Sequence, residues 1–196
     1  MEIAHVSKVL AFGVALLGAV GSACAEPYAY MLDVKRSNVA FFYDLGGLAT
    51  KGHFPISEAD VTVDLANVSA SEVRVRIATE FARAGGAFAT MAMRSPDLLH
   101  TGAYPYAEFI SHTVSRSDTG ARILGDLTLR GQTRPIVLEA KFMREADAPL
   151  DNSKLVLRIE GGVNRSDYGV TGFQKLVGDR INLGFLVYLD RDAVTQ

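Results

Sequence analysis

An all-β fold, either an antiparallel sandwich or a barrel, is predicted by three features of the sequence. Apolar residues fall at every second position in one run after another, clusters of turn-forming residues separate the runs, and no strand-helix-strand rhythm intervenes. Successive side chains of an extended chain point to opposite faces, so each such run has one face to bury and one to leave in water.

The chain starts with a different signal. Residues 1–25 read as a secretory signal peptide: Lys8 supplies the basic start, Val9 to Gly21 carries no charge, and Ala23 and Ala25 give the small-x-small pattern before expected cleavage at Glu26. The apolar run is too short to span a bilayer, and a buried N-terminal helix is the alternative. Cys24 is the single cysteine. Gly21 stands where a lipoprotein signal wants a leucine, so acylation of Cys24 is not expected. The mature domain, 26–196, then holds no thiol, and its stability must come from a packed core or oligomer contacts.

From Tyr28 onward alternation dominates. Val39, Phe41, Tyr43 and Leu45 form one face of an early strand, Val61, Val63 and Leu65 of another, and Val73, Val75 and Ile77 of a third, opposite Arg74 and Arg76. Tyr106 to Val114 gives a middle strand. Ile123, Leu127 and Leu129 then oppose Asp126, Thr128 and Arg130, and Ile136, Leu138, Ala140 and Phe142 oppose Glu139 and Lys141. Leu155, Leu157 and Ile159 follow, and the last strand offers Ile181, Leu183, Phe185, Val187 and Leu189. Turns are expected at Asp118-Thr119-Gly120, at Gly131 to Pro135 and at Asp147 to Asn152, which makes consecutive hairpins. Only residues 80–100 break the pattern, with the helical signal over 84–100. They read as a helical excursion in two short pieces, the second capped by Ser95 with Pro96 at its first position, or else as an ordered loop.

Charge and motifs narrow the function. A formal net charge of −2 gives no long-range attraction for a phosphate backbone, which argues against a nucleic-acid binder. His53, His100 and His112 are far apart, with no metal-ligand spacing among them, so no metal is expected. No G-x-S-x-G elbow and no phosphate-binding loop occurs, so no catalytic residue and no enzyme activity is proposed.

Several motifs in order carry a resemblance. Tyr30 to Asp33 with Ser37 to Phe41, then Gly52-His53-Phe54, then Arg94 to Leu99 with Tyr104-Pro105, then Gly125 to Leu129 with Gly131, Thr133, Arg134 and Pro135, and finally Arg165-Ser166-Asp167-Tyr168-Gly169, resemble the YceI family. The likeness covers nearly all of 28–190. It implies a lipocalin-like, eight-stranded antiparallel barrel with a short helical segment, enclosing an apolar tunnel for a polyisoprenoid, a quinone precursor or a fatty-chain lipid. The segment Thr90-Met91-Ala92-Met93 departs from relatives, which often carry charges there, and suggests a reshaped tunnel mouth.

On this resemblance Phe41, Tyr43, Phe109, Leu127, Leu129, Phe142, Ile159 and Phe185 are expected to face the lumen, with Phe54 and Tyr168 joining from the matched motifs. An ordinary packed core remains the alternative for all of them, because periodicity is the same for a filled and a hollow barrel. Arg165 and Asp167 either meet a ligand's polar head or form a structural ion pair, and Arg130 and Arg134 decorate a hairpin. The expected protein is thus a periplasmic or secreted carrier, a monomer or homodimer, holding an amphiphilic small molecule non-covalently and using no cofactor. Two alternatives are an outer-membrane barrel, with the faces reversed, and an exported stress-response protein or enzyme with a site in its loops.

Overall fold

In the computed structural model the described residues are 28–143 and 151–191. The signal peptide with Cys24, and most of the expected turn from Asp147 to Asn152, lie outside them.

Eleven strand segments build the molecule: β1 Tyr28–Leu32, β2 Asn38–Leu45, β3 Leu48–Phe54, β4 Ile56–Val63, β5 Glu72–Ala78, β6 Arg83–Ala84, β7 Tyr106–Ser117, β8 Gly120–Leu129, β9 Gln132–Met143, β10 Lys154–Asn164 and β11 Arg180–Arg191. Among the described residues one α-helix, α1, covers Ala87–Arg94. The segments lie as eight staves. β1 and β2 run end to end along β11, since Leu32 pairs with Leu189 and Asn38 with Leu186. β3 and β4 are one stave broken at Pro55, and β5 and β6 are another, interrupted by a 3-10 turn over Thr79–Phe81. Every pairing is antiparallel, and contact between β1 and β11 closes the ring. The result is the closed eight-stranded antiparallel barrel that the family resemblance implies.

The gap between β1 and β2 is bridged from β11. The Tyr188 carbonyl accepts the Asp33 N–H at 2.9 Å, and the Tyr188 N–H donates to Ser37 Oγ at 3.0 Å, so the turn between those residues leaves no orphaned group on β11. Arg36 lies 4.0 Å over the Tyr188 ring on the outside of the same joint.

Alternation sorts the faces. Val39, Phe41, Ile123, Leu138, Val163 and Leu189 are buried on the inner side, whereas the outer side carries cross-strand charges. Arg76 Nη1 reaches Glu58 at 3.1 Å and its Nη2 reaches Glu108 at 3.5 Å, across three neighbouring strands, and Arg122 meets Glu139 at 3.3 Å. Such exposed pairs stabilise weakly, but they fix which face is wet. The facing is apolar inside and charged outside, the reverse of the outer-membrane arrangement.

Two local expectations change, and one strand carries a bulge. The hairpin between β8 and β9 turns in two residues, Arg130 at φ 49° and Gly131 at φ 69°, so Gln132 to Pro135 belong to β9 rather than to a loop. Pro135 is tolerated there because β10 pairs with β9 only from Leu138 onward, and the missing N–H breaks no ladder. Ser95 closes α1 instead of capping a second helix: its carbonyl accepts the N–H groups of Leu98 and His100, and one turn ends at His100 with φ 50°. In β7 a bulge between Ser111 and Thr113 resets the alternation so that Val114, and not Thr113, is buried.

Close approach inside the barrel selects glycine at two places. A Cβ on Gly52 would lie 1.9 Å from Phe41 Cζ, and one on Gly125 would lie 2.6 Å from Phe109 Cζ. Each ring lies flat over the backbone of the neighbouring strand, which moves aromatic bulk off the barrel axis.

Candidate functional site: an apolar barrel lumen

Eight staves leave more room than these side chains fill. A cavity of about 990 Å³ runs through the barrel, at the top of the roughly 300–1,000 Å³ range of small-molecule sites. Phe41, Tyr43, Phe54, Phe109, Leu127, Leu129, Phe142, Ile159 and Phe185 all line it. Leu127, Leu129, Ile159 and Phe185 are only half-buried although they point inward, because their free surface faces the cavity. Around Phe41 the wall is aromatic, with ring centroids 4.6 Å from Phe54 and 5.8 Å from Tyr43. Tyr43 Oη donates to the Ala84 carbonyl at 3.4 Å, and burial pushes its phenol pKa up.

The two ends of the lumen differ. At one end the β2–β3 hairpin, α1, the turn after it and the loop from Arg165 to Asp179 come together. The Gly178 N–H donates to the Asp44 carbonyl at 3.0 Å, the Gly46 N–H to Leu176 at 2.8 Å, and the Gly172 N–H to Asp97 at 3.0 Å, so this loop forms a lid. Phe88, Phe173 and Leu176 line the lumen there and are also exposed. At the other end polar residues enter the lining: Asp64, Ser71, Arg116, Ser117, Asp118 and Thr119 rim the cavity beside Leu65, Val68 and Phe142, the last half exposed.

Arg165 organises the lid. Its side chain is 5% exposed, and it donates to four backbone carbonyls: Nε to Gly178 at 3.1 Å, Nη1 to Val170 and Gly172 at 2.8 Å each, and Nη2 to Val177 at 3.0 Å. Burial lowers its pKa while Asp179 opposes the shift, yet a guanidinium keeps its proton in proteins. The expected ion pair with Asp167 does not form; Asp167 instead faces Asn164 Nδ2 at 3.4 Å. Arg165 borders the lumen, but most of its donors are already engaged. Arg130 also does more than decorate its hairpin, since Nη2 donates to the Pro96 carbonyl at 2.9 Å and Nη1 to Gly169, tying β8 to the lid.

Tyr168 lies away from the lumen. It is 1% exposed beneath a small polar surface pocket lined by His100, Arg130, Arg134 and Asp167. Its hydroxyl has no partner among the described residues, and burial, with Asp167 adding to it, pushes the phenol up to about 12. The histidines remain separate: His112 Nε2 meets Asp126 at 2.9 Å, His53 Nδ1 meets Asn38 at 3.3 Å, and no group of three or more metal-ligating side chains occurs among the described residues.

Comparison with known proteins now places this barrel. The YceI-like domain matches residues 30–189. The chain belongs to the YceI family. Protein YceI of Escherichia coli is 32% identical over 156 residues, 79% of this chain and 82% of that protein. Protein YceI of Salmonella arizonae is 32% identical over 157 residues, 80% and 82% of the two chains. Among solved structures, Burkholderia cenocepacia BcnA superposes with a TM-score of 0.72 at 18% identity, over 81% of this chain and 99% of that one. A polyisoprenoid binding domain from Saccharophagus degradans superposes with a TM-score of 0.56 at 14% identity, over 84% and 99%. In this YceI-family chain, Arg165-Ser166-Asp167-Tyr168-Gly169 builds the lid and its support rather than a free polar site.

Two outcomes follow. Replacing Arg165 by Lys leaves several buried carbonyls without donors and is expected to destabilise the fold by about 2–4 kcal/mol in urea unfolding. Asp167→Asn is expected to stay within about 0.5 kcal/mol, and equal effects from the two variants would restore the ion pair. Tyr168 contributes stability that is fully present below pH about 10 and lost as pH rises towards about 12. Thermal melts of wild type and Tyr168→Phe across that window should converge in slope only if the hydroxyl titrates normally.

Proposed function

We propose that this protein is an exported carrier that holds one long-chain amphiphile, such as a polyisoprenoid, a quinone precursor or a fatty-chain lipid, in its barrel. The observation that carries the reading is the lumen: about 990 Å³ of space bounded by apolar side chains on all eight staves. Burying one CH₂ stabilises by about 0.8 kcal/mol, so each isoprene unit offers roughly 4 kcal/mol before ordering costs, and two or three units give useful affinity. Such binding needs no catalytic group. The YceI family and the polyisoprenoid binding domain among its structural neighbours support a binding protein over an enzyme.

Polarity orients the ligand in this reading. Arg165 is occupied by carbonyls and Asp64 by the Ala66 and Asn67 N–H groups, so the head group is assigned to the rim at Arg116 to Thr119, and the tail to the aromatic wall and the lid. Among the described residues the charged side chains of the lining, Asp64, Arg116, Asp118 and Arg165, stand at its two ends, so the middle takes the apolar part of the ligand. The sequence of residues 1–25 supports export to the periplasm or beyond.

Protein released by osmotic shock from its native cells, extracted into organic solvent and analysed by mass spectrometry, should yield one long-chain species near stoichiometric amount. A clean extract, or a mixture that merely mirrors the bulk membrane lipids, contradicts the carrier reading.

A further inference from the structure

We propose that the lid end of the barrel docks on a lipid bilayer, with an apolar collar entering the boundary between head groups and acyl chains. The collar is made by Leu48 at the tip of the β2–β3 hairpin, Phe88 and Met91 on α1, and Phe173 and Leu176 on the lid; Phe88 is 76% exposed, Leu48 72% and Met91 65%. These side chains come from three segments and meet at one end. The Gly46 N–H donates to the Leu176 carbonyl, and the Gly172 N–H donates to Asp97 in the turn that follows α1. A lone exposed apolar residue needs no explanation, whereas five large ones round one opening mark an interaction surface.

Two further observations choose the occupant. Phe88, Phe173 and Leu176 also line the lumen, so collar and cavity form one continuous apolar surface that an acyl phase extends without a wet gap. Lys51, Arg83 and Lys175 are exposed beside the collar and make no ion pair among the described residues. A hydrogen bond leaves a carboxylate charged, so Asp44, Glu80, Asp97, Asp167 and Asp179 all offset these cations; Arg94, Arg130 and Arg165 donate only to backbone carbonyls at this end, which brings the named groups to six cations against five carboxylates. The chain as a whole carries −2, so the attraction for anionic head groups is local to the collar. Apolar side chains flanked by cations are the composition of a membrane-interface surface.

The test is flotation with vesicles of mixed phosphatidylethanolamine and phosphatidylglycerol, which reads docking directly and needs no measurement of cargo. Leu48 and Met91 do not line the lumen, so the Leu48→Ser, Met91→Ser double variant leaves the cavity intact. Wild type should float with the vesicles, and the double variant should lose about ten-fold in bound fraction. Lys51→Glu with Lys175→Glu should lose about three-fold and flatten the salt dependence. Met31→Ser, at an exposed site on β1, should float as wild type, with circular dichroism confirming the fold of each variant. Absence of flotation by wild type overturns the proposal, as does undiminished flotation of the Leu48, Met91 variant. A collar-dependent dimer in ultracentrifugation that excludes vesicles overturns it too, and assigns the surface to a second copy of the chain.

Discussion

Closure of the ring is the constraint on which the rest of the structure depends. An open sheet of this size would expose two edges and could lay its apolar face on another layer. Once β1 pairs with β11, every stave has two neighbours, and the inner face has nothing to pack against except itself. β11 makes this possible by serving two short strands in turn, β2 along its first half and β1 near its end, with the Tyr188 backbone holding the turn between them. Glycines under Phe41 and Phe109 then let aromatic rings lie along the wall instead of across the axis. A cylinder of this circumference, lined this way, remains hollow.

The hollow interior makes its ends decisive. One end is sealed by a lid that sinks Tyr168 and Val170 into the core and leaves Phe173 and Leu176 exposed. Its rigidity comes from a buried cation that gathers four carbonyls, helped by Arg130 from the adjacent hairpin. Electrostatics and backbone hydrogen bonds therefore add to side-chain packing at the lid. The other end, where polar residues enter the lining, has no comparable cover among the described residues. In the proposed function an amphiphile would find an apolar wall and a polar rim in one continuous space.

Much of this was legible in the sequence, for a definite reason. Alternation reports which face of a strand is dry, and the runs that contain Phe142, Ile159 and Phe185 each placed those residues on the lumen side. Alternation cannot report what fills the dry side, so a packed core and a lumen read alike at Leu127 and Leu129. Arg165 and Asp167 look like an ion pair because they are near in sequence and opposite in charge. The true acceptors are carbonyls of Val170, Gly172, Val177 and Gly178, and backbone acceptors leave no mark on residue identity. Pro135 read as a turn residue because its exclusion from strands holds only where both neighbours are paired. Phe88 stood in a segment read as helical, yet nothing in a single helix of alanines and methionines tells which side meets a barrel mouth.

The central claim is that the barrel encloses empty apolar space, and the unfolding free energy of Ile159→Trp tests it most directly. Ile159 lies on the wall with part of its surface towards the cavity. A hollow lumen accepts the larger ring, so stability should be unchanged or slightly higher than in wild type. A loss of about 1–3 kcal/mol, the usual effect of overpacking, would mean that the interior is already full.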